Sequence, residues 1–429
     1  MPIAPANDIV DIALGADDLS ILVAALQRAD LVGALNGDGP FTVLAPTNEA
    51  FATFLSDNGF ATLDDVPVEV LTQVLLNHVI SGVITSSDLV SAGSGYSNTL
   101  ANGAGNNSMS IYFNTSNGVK FNGISSVSLA DITASNGVIH VVDAVIGLPT
   151  VVTFAAADPT FSTLVTALTE LTPATNFVEV LQGVGPFTVF APTNDAFASF
   201  TTTNDVNNVL ANHVIPGATA ISTSLTNAYV NTAATLNGTD TPLSMYINVD
   251  SGVTLNGGSA VIAADIIATN GVIHVVDAVI DLPTIATFAT TNSALSILVD
   301  ALAYADTGNP TVPYIDTVSN PTAGPYTVFA PTNDAFVDLL GELEISALTD
   351  LTPAQIDTVL LYHIVDANVQ SSQLQTGVVS TLGGDITADA TAFTLTDPND
   401  RVSNIITALV DIQAANGVVH VIDKVILNN

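Results

Sequence analysis

Gly39 to Phe51 reads GPFTVLAPTNEAF. The same stretch returns as GPFTVFAPTNDAF at Gly185 to Phe197 and as GPYTVFAPTNDAF at Gly324 to Phe336. Each is a short apolar run ended by Pro, which predicts a strand. The Thr-Asn-acid that follows predicts a helix start, with an oxygen to cap the first free amides and a carboxylate near the positive dipole end. A second block closes every copy: NGVIHVVDAVIGLP (Asn136 to Pro149), NGVIHVVDAVIDLP (Asn270 to Pro283) and NGVVHVIDKVILNN (Asn416 to Asn429). Between the two blocks lie Asn77-His78, Asn212-His213 and Tyr362-His363. The first block's alanines are Ala45, Ala191 and Ala330. The period is therefore about 140 residues, a whole domain rather than a solenoid unit. Three domains are expected, at 1–148, 149–282 and 283–429. No Gly/Ser or Pro-rich linker separates them, which predicts a fairly stiff row of modules.

Within a copy, the front half is helical. Ile9, Ile12, Ala13, Leu22 and Leu26 recur at roughly helical spacing, broken by a turn-like Gly-Ala-Asp-Asp. The back half alternates apolar and polar residues between Asn-Gly turns, as in SMSIYFNTSNGVKFNG (Ser108 to Gly123), and reads as hairpins. The fold class is α+β.

The 429 residues carry 40 Asp plus Glu against 4 Lys plus Arg, a formal charge of −36. An apolar content of 48% is enough for real cores despite that charge. Arg28, Lys120, Arg401 and Lys424 are too few and too scattered to track a phosphate backbone or an anionic membrane face, so nucleic-acid partners are excluded. With no cysteine there are no disulfides, thiol nucleophiles or zinc-thiolate sites. No apolar run approaches the 18 residues of a membrane span, so direct insertion is not expected. The start Met1-Pro-Ile-Ala-Pro has neither a basic region nor an apolar stretch. The expectation is an exported protein whose signal, and any anchor, has been removed. Distributed self-repulsion suits a saline, calcium-containing exterior.

These blocks resemble the fasciclin-like domain family. TVFAPTNDAF resembles its first signature, NGVIHVVDAVI its second, and Tyr362-His363 its central Tyr-His motif, with Asn77-His78 and Asn212-His213 matching in part. The resemblance covers nearly the whole chain, three times. It implies tandem domains, each a wedge or sandwich of about seven strands with a helical N-terminal half, on secreted or surface-anchored proteins engaged in adhesion or matrix contact. It also implies two adhesive elements. One is the Tyr-His segment, here His78, His213, Tyr362 and His363. The other is an Asp-Ile pair, here Asp131-Ile132, Asp265-Ile266 and Asp411-Ile412, though its flanks LADIT, AADII and LVDIQ lack the Pro or Lys that precedes Asp in relatives.

Two histidines fall in each domain: His78 and His140, His213 and His274, His363 and His420. A metal pair would need further ligands. The acids in fixed position, Asp143, Asp277 and Asp423, lie three residues beyond the second His, so strand alternation turns them to the opposite face. His140, His274 and His420 are expected to be semi-buried scaffold, bonded to backbone or to the Asn and Thr of the first block. Thr47, Thr193 and Thr332 are expected as helix caps. No G-x-S-x-G, H-E-x-x-H, P-loop or dinucleotide fingerprint occurs, so an enzyme is not expected. No cofactor is expected beyond calcium, for which Asp397, Asn399 and Asp400 form the candidate loop. Sequons stand at Asn106, Asn114 and Asn237. The composition leans towards a marine or halophilic microbe.

The expected function is non-enzymatic, extracellular, multivalent contact with cell-surface proteins or polysaccharides, with cation bridging and homophilic contact as further options. The alternatives are a small-molecule or lipid module, which needs a large apolar cavity in the helical half, and a spacer for another domain.

Overall fold

A computed structural model describes residues 7–171 and 175–428. Two compact units emerge: Met1–Ala198 with Pro216–Ile221 and Ala263–Val275, and Ser199–Ile215 with Ser222–Ile262 and Val276–Asn429. The middle repeat thus contributes to both.

The first unit contains the whole first repeat. Helix Ile9–Leu14 starts at Asp8, which forms a capping box with Asp11. A single 3-10 turn, Asp17–Leu19, stands where the Gly-Ala-Asp-Asp break was expected, and helix Ser20–Arg28 follows. Seven strands then close into a barrel: β1 (Phe41–Pro46), β2 (Val79–Ser81), β3 (Ser94–Asn102), β4 (Ser108–Asn114), β5 (Lys120–Phe121), β6 (Ser125–Ala134) and β7 (Gly137–Val142). β1 lies between β2, antiparallel, and β7, parallel, in register from Phe41 with Gly137 to Pro46 with Val142. Alternation along β1 feeds two cores. Val43 and Ala45 pack under the helices with Phe51, Leu71 and Ile139, while Leu44 faces Ile111, Phe121 and Val142. A strand buried on both faces reads as the unbroken apolar run seen in the sequence. Gly137 is required for contact rather than for the turn, because a Cβ there would lie 2.1 Å from the Phe41 carbonyl oxygen.

The second unit contains the third repeat. Here the strands form two four-stranded sheets rather than a ring. One runs Ile364–Val365, Tyr326–Pro331, Gly417–Ile422, Ile412–Ala414; the other runs Gly377–Thr381, Gly384–Asp389, Thr394–Thr396, Val402–Asn404. The tight hairpin Thr381 to Gly384 explains the break. Its Leu382 and Gly383 amides donate to the carbonyls of Ile364 and Leu361. A turn therefore docks where β3 pairs with β2 through Ile80 and Thr99 in the first repeat.

Each unit also holds one joint between successive repeats, and the two joints are built alike. In the first, the Ile267 amide donates to Ser110 Oγ at 2.9 Å, Tyr96 donates to Asp158 at 3.0 Å, and the Tyr96 ring packs on Tyr112 and Phe154 at 5.0 and 5.6 Å. In the second, the Gln413 amide donates to Ser244 Oγ at 3.0 Å, Asn292 donates to Tyr229 at 3.1 Å, and Tyr229 packs on Tyr246 and Phe288 at 4.7 and 5.4 Å. Strand register assigns the matching positions of the third repeat. Val378 pairs with Thr387 as Tyr96 pairs with Tyr112, and Asp385 falls where Ser110 and Ser244 stand. Val378, Thr387 and Asp385 are all exposed.

Candidate functional site

The most repeated polar groups converge on backbone. His78 is buried at the end of helix Val68–Leu76. Its Nδ1 lies 2.7 Å from the Val74 carbonyl and its Nε2 2.9 Å from the Ile146 amide. The amide can only donate, so Nε2 accepts and Nδ1 carries the proton. His213 repeats this with Val209 and Ile280, and His363 with Val359 and Ile426. Burial lowers all three to about 4, with the Val74, Val209 and Val359 carbonyls opposing it. The rings are neutral struts that tie a helix end to the segment leaving the last strand.

His140, His274 and His420 use the opposite tautomer. Nδ1 accepts from the amides of Asp131, Asp265 and Asp411 at 3.2, 3.4 and 3.2 Å, while Nε2 donates to the carbonyls of Ile84, Ala220 and Val369 at 2.9, 2.8 and 2.9 Å. Burial lowers His274 and His420. Their partners are backbone; the Asn and Thr of the first block are engaged elsewhere. The two histidines of each repeat bond to different segments, and no cluster of three or more His, Asp or Glu among the described residues could hold a metal ion.

Thr47, Thr193 and Thr332 accept from the amides of Ala50, Ala196 and Ala335 at 3.2, 3.1 and 3.2 Å, so each caps its helix. The neighbouring Asn48, Asn194 and Asn333 clasp the preceding helix. Asn48 accepts from the Ile21 amide and donates to the Asp17 carbonyl, and the other two do the same with Thr163 and Pro159, and with Ile297 and Ser293.

The proposed adhesive residues divide sharply by exposure. His78, His213, His363, Ile266 and Ile412 are buried and offer a partner nothing to touch, which corrects the expectation placed on them. Ile132 and Tyr362 are half-buried. Tyr362 packs against Gly383 and Gly384, filling the space that the short hairpin leaves. Asp131, Asp265 and Asp411 sit at φ 60, 62 and 55; Asp131 lies at a register irregularity of β6, and Asp411 directly precedes strand Ile412–Ala414. The carboxylate of Asp131 accepts from the Ser86 amide at 2.8 Å and from its hydroxyl; Asp411 does so with Ser371. Those two carboxylates hold a neighbouring segment. The Ser86 hydrogen bonds keep Asp131 below the usual carboxylate range.

The calcium expectation at Asp397, Asn399 and Asp400 is also corrected. Asp397 is 5% exposed. Its oxygens accept from the amides of Asn399, Arg401 and Leu427 and from the Arg401 guanidinium at 3.1 Å. A guanidinium already occupies the cation's place, and the Asn399 amide nitrogen donates to the Asn428 carbonyl.

Sequence reasoning missed Asn136, Asn270 and Asn416, read only as turn residues. All three are buried. Asn136 accepts from the Ile9 amide at 3.0 Å and donates to the carbonyls of Leu35 and Gly37 at 2.7 and 3.0 Å. Asn270 does so with Val151, Leu181 and Gly183, and Asn416 with Ile285 and Val318. Their recurrence in every copy was the available signal.

The family model described as the Fasciclin domain matches residues 17–149, 159–283 and 294–428. Human periostin is 26% identical over 437 residues, spanning 98% of this chain and 47% of its own length. Protein sll1483 of Synechocystis is 42% identical over 142 residues, 33% of this chain and 73% of that protein. Cell surface glycolipoprotein MPB83 of Mycobacterium bovis is 35% identical over 144 residues, 33% of this chain and 60% of that protein. The chain thus spans about half the length of periostin.

Proposed function

We propose an adhesive role for this chain, which belongs to the fasciclin-domain family. It acts outside the cell, without catalysis, by multivalent contact with cell-surface proteins or polysaccharides. The carrying observation is that one domain is present three times while its recurrent polar groups are spent on the scaffold. All six imidazoles are bonded at both nitrogens, so each ring is engaged with backbone. Repetition raises avidity without any new contact. MPB83 is itself named a cell-surface protein, which supports the exterior setting. The charge of −36 makes cation bridging to an anionic surface the expected mode, through diffuse carboxylates rather than Asp397.

The small-molecule alternative would need a large apolar cavity in the helical half, and two described cavities there do not supply it. Enclosed apolar cavities beneath the helices measure about 20 Å³ beside Ile285 and Leu302 and about 60 Å³ beside Val151 and Leu164. Ligand pockets are on the order of 300–1,000 Å³. No single helix among the described residues is long and apolar enough to cross a membrane.

The test is bead retention. Microspheres coated with the full chain should adhere to neutral polysaccharide gels or to cell surfaces more than albumin-coated ones. Calcium should strengthen adhesion to anionic surfaces, and chelation should reverse it. Adhesion no better than albumin on every surface would defeat this reading.

A further inference from the structure

In the second unit a groove of about 510 Å³ opens between the 236–241 loop of the second repeat and the third repeat. Two amide side chains in its lining, Asn368 and Gln370, are fixed from behind by Gln413, which is 1% exposed. Gln413 Nε2 donates to the Ala414 and Gly417 carbonyls at 2.8 and 2.9 Å and to Asn368 Oδ1 at 3.0 Å. Its Oε1 accepts from Asn368 Nδ2 at 3.2 Å and from Gln370 Nε2. A buried amide with both ends satisfied sets the orientation of its neighbours.

This trio belongs to the third repeat alone. Gln413 lies two residues after Asp411, as Ile267 lies two after Asp265. Asn368 and Gln370 flank Val369, whose carbonyl accepts from His420, as Thr219 and Ile221 flank Ala220, whose carbonyl accepts from His274. The third repeat has amides where the second has two isoleucines and a threonine, and where the first has Thr133, Val83 and Thr85. Asn237 and Thr239 add polar groups from across the groove, and Pro321 and Pro325 add apolar wall.

None of the lining residues is charged. Without carboxylates the groove is not a cation site, and without Lys or Arg it is not an anion site. Amides and hydroxyls that both donate and accept, beside apolar ring surface, match the hydroxyls and C–H faces of an uncharged sugar. We propose that this groove is a subsite for a neutral oligosaccharide. The proposal rests on the adhesive reading and specifies where one polysaccharide contact is made.

The test is calorimetric titration of the full chain with cellohexaose, maltohexaose and mannohexaose. At least one should bind. Gln370→Ala and Asn237→Ala should each weaken it by about tenfold or more; Asn237 is exposed, so its variant should leave the melting temperature unchanged. No heat with any hexaose, or binding untouched by both variants, overturns the subsite. Bead retention separates the two claims. Wild-type and Gln370→Ala beads that adhere equally, with no hexaose binding, leave adhesion standing and the groove without a role. Hexaose binding that the variants abolish, on beads that adhere to nothing, upholds the groove and removes the adhesive reading.

Discussion

Each of His78, His213 and His363 accepts a backbone amide on Nε2, so a proton added there would face another proton. Burial lowers the folded value to about 4, whereas the unfolded ring titrates near 6.5. Between those values the unfolded chain binds more protons, and stability falls as pH falls. The contribution is whole above about pH 6.5, is lost down to about pH 4, and is flat below. It amounts to about 3 kcal/mol for each ring. Urea unfolding from pH 8 to pH 4 should show this decline, and His363→Asn should lower stability at pH 8 while flattening the curve. A pH-independent midpoint in wild type would rule out the strut. Asn136 works on the same principle without titrating. Asn136→Ala strands the Ile9 amide and the Leu35 carbonyl, and should cost about 2–3 kcal/mol by denaturant midpoint.

At the scale of elements, β1 and β7 approach so closely at Gly137 that no side chain fits between them. Gly137→Ala would drive a methyl into the Phe41 carbonyl and force the strands apart. A loss on the order of 3 kcal/mol is expected by thermal melting, against near-neutral behaviour for Gly147→Ala, where a Cβ meets nothing within 4 Å. The α+β class, the helix-capping threonines and the apolar strand were legible because their signals lie within a dozen residues. Asn136 was not, since Ile9 and Leu35 lie on distant helices and spacing alone does not bring them together. The hidden tautomers of the histidines were likewise set by amides contributed from elsewhere in the fold. Asp397 misled for a related reason: an Asp-rich turn reads as a calcium loop until Arg401 and Leu427 are seen to fill it.

For the molecule as a whole, a charge of −36 with only four basic side chains makes screening a stabiliser. The Debye length falls from about 30 Å at 0.01 M salt to about 3 Å at 1 M. Melting temperature should therefore rise with sodium chloride over that range; an unchanged or falling value would contradict it. The joints add coupling between repeats. Tyr229→Ala removes the ring that packs on Tyr246 and Phe288, and should cost about 2–3 kcal/mol while turning one unfolding transition into two. A single unchanged transition by calorimetry would show that the repeats melt independently of this contact.

Val378, Thr387 and Asp385 carry an evolutionary corollary. A tandem array lengthens most readily when a newly inserted copy inherits a ready mate on either side. Duplicating the second module would do so, because Tyr229, Tyr246 and Ser244 come with it. Duplicating the third would set a valine, a threonine and a carboxylate against the newcomer, so the same ring-and-hydroxyl joint would not form there.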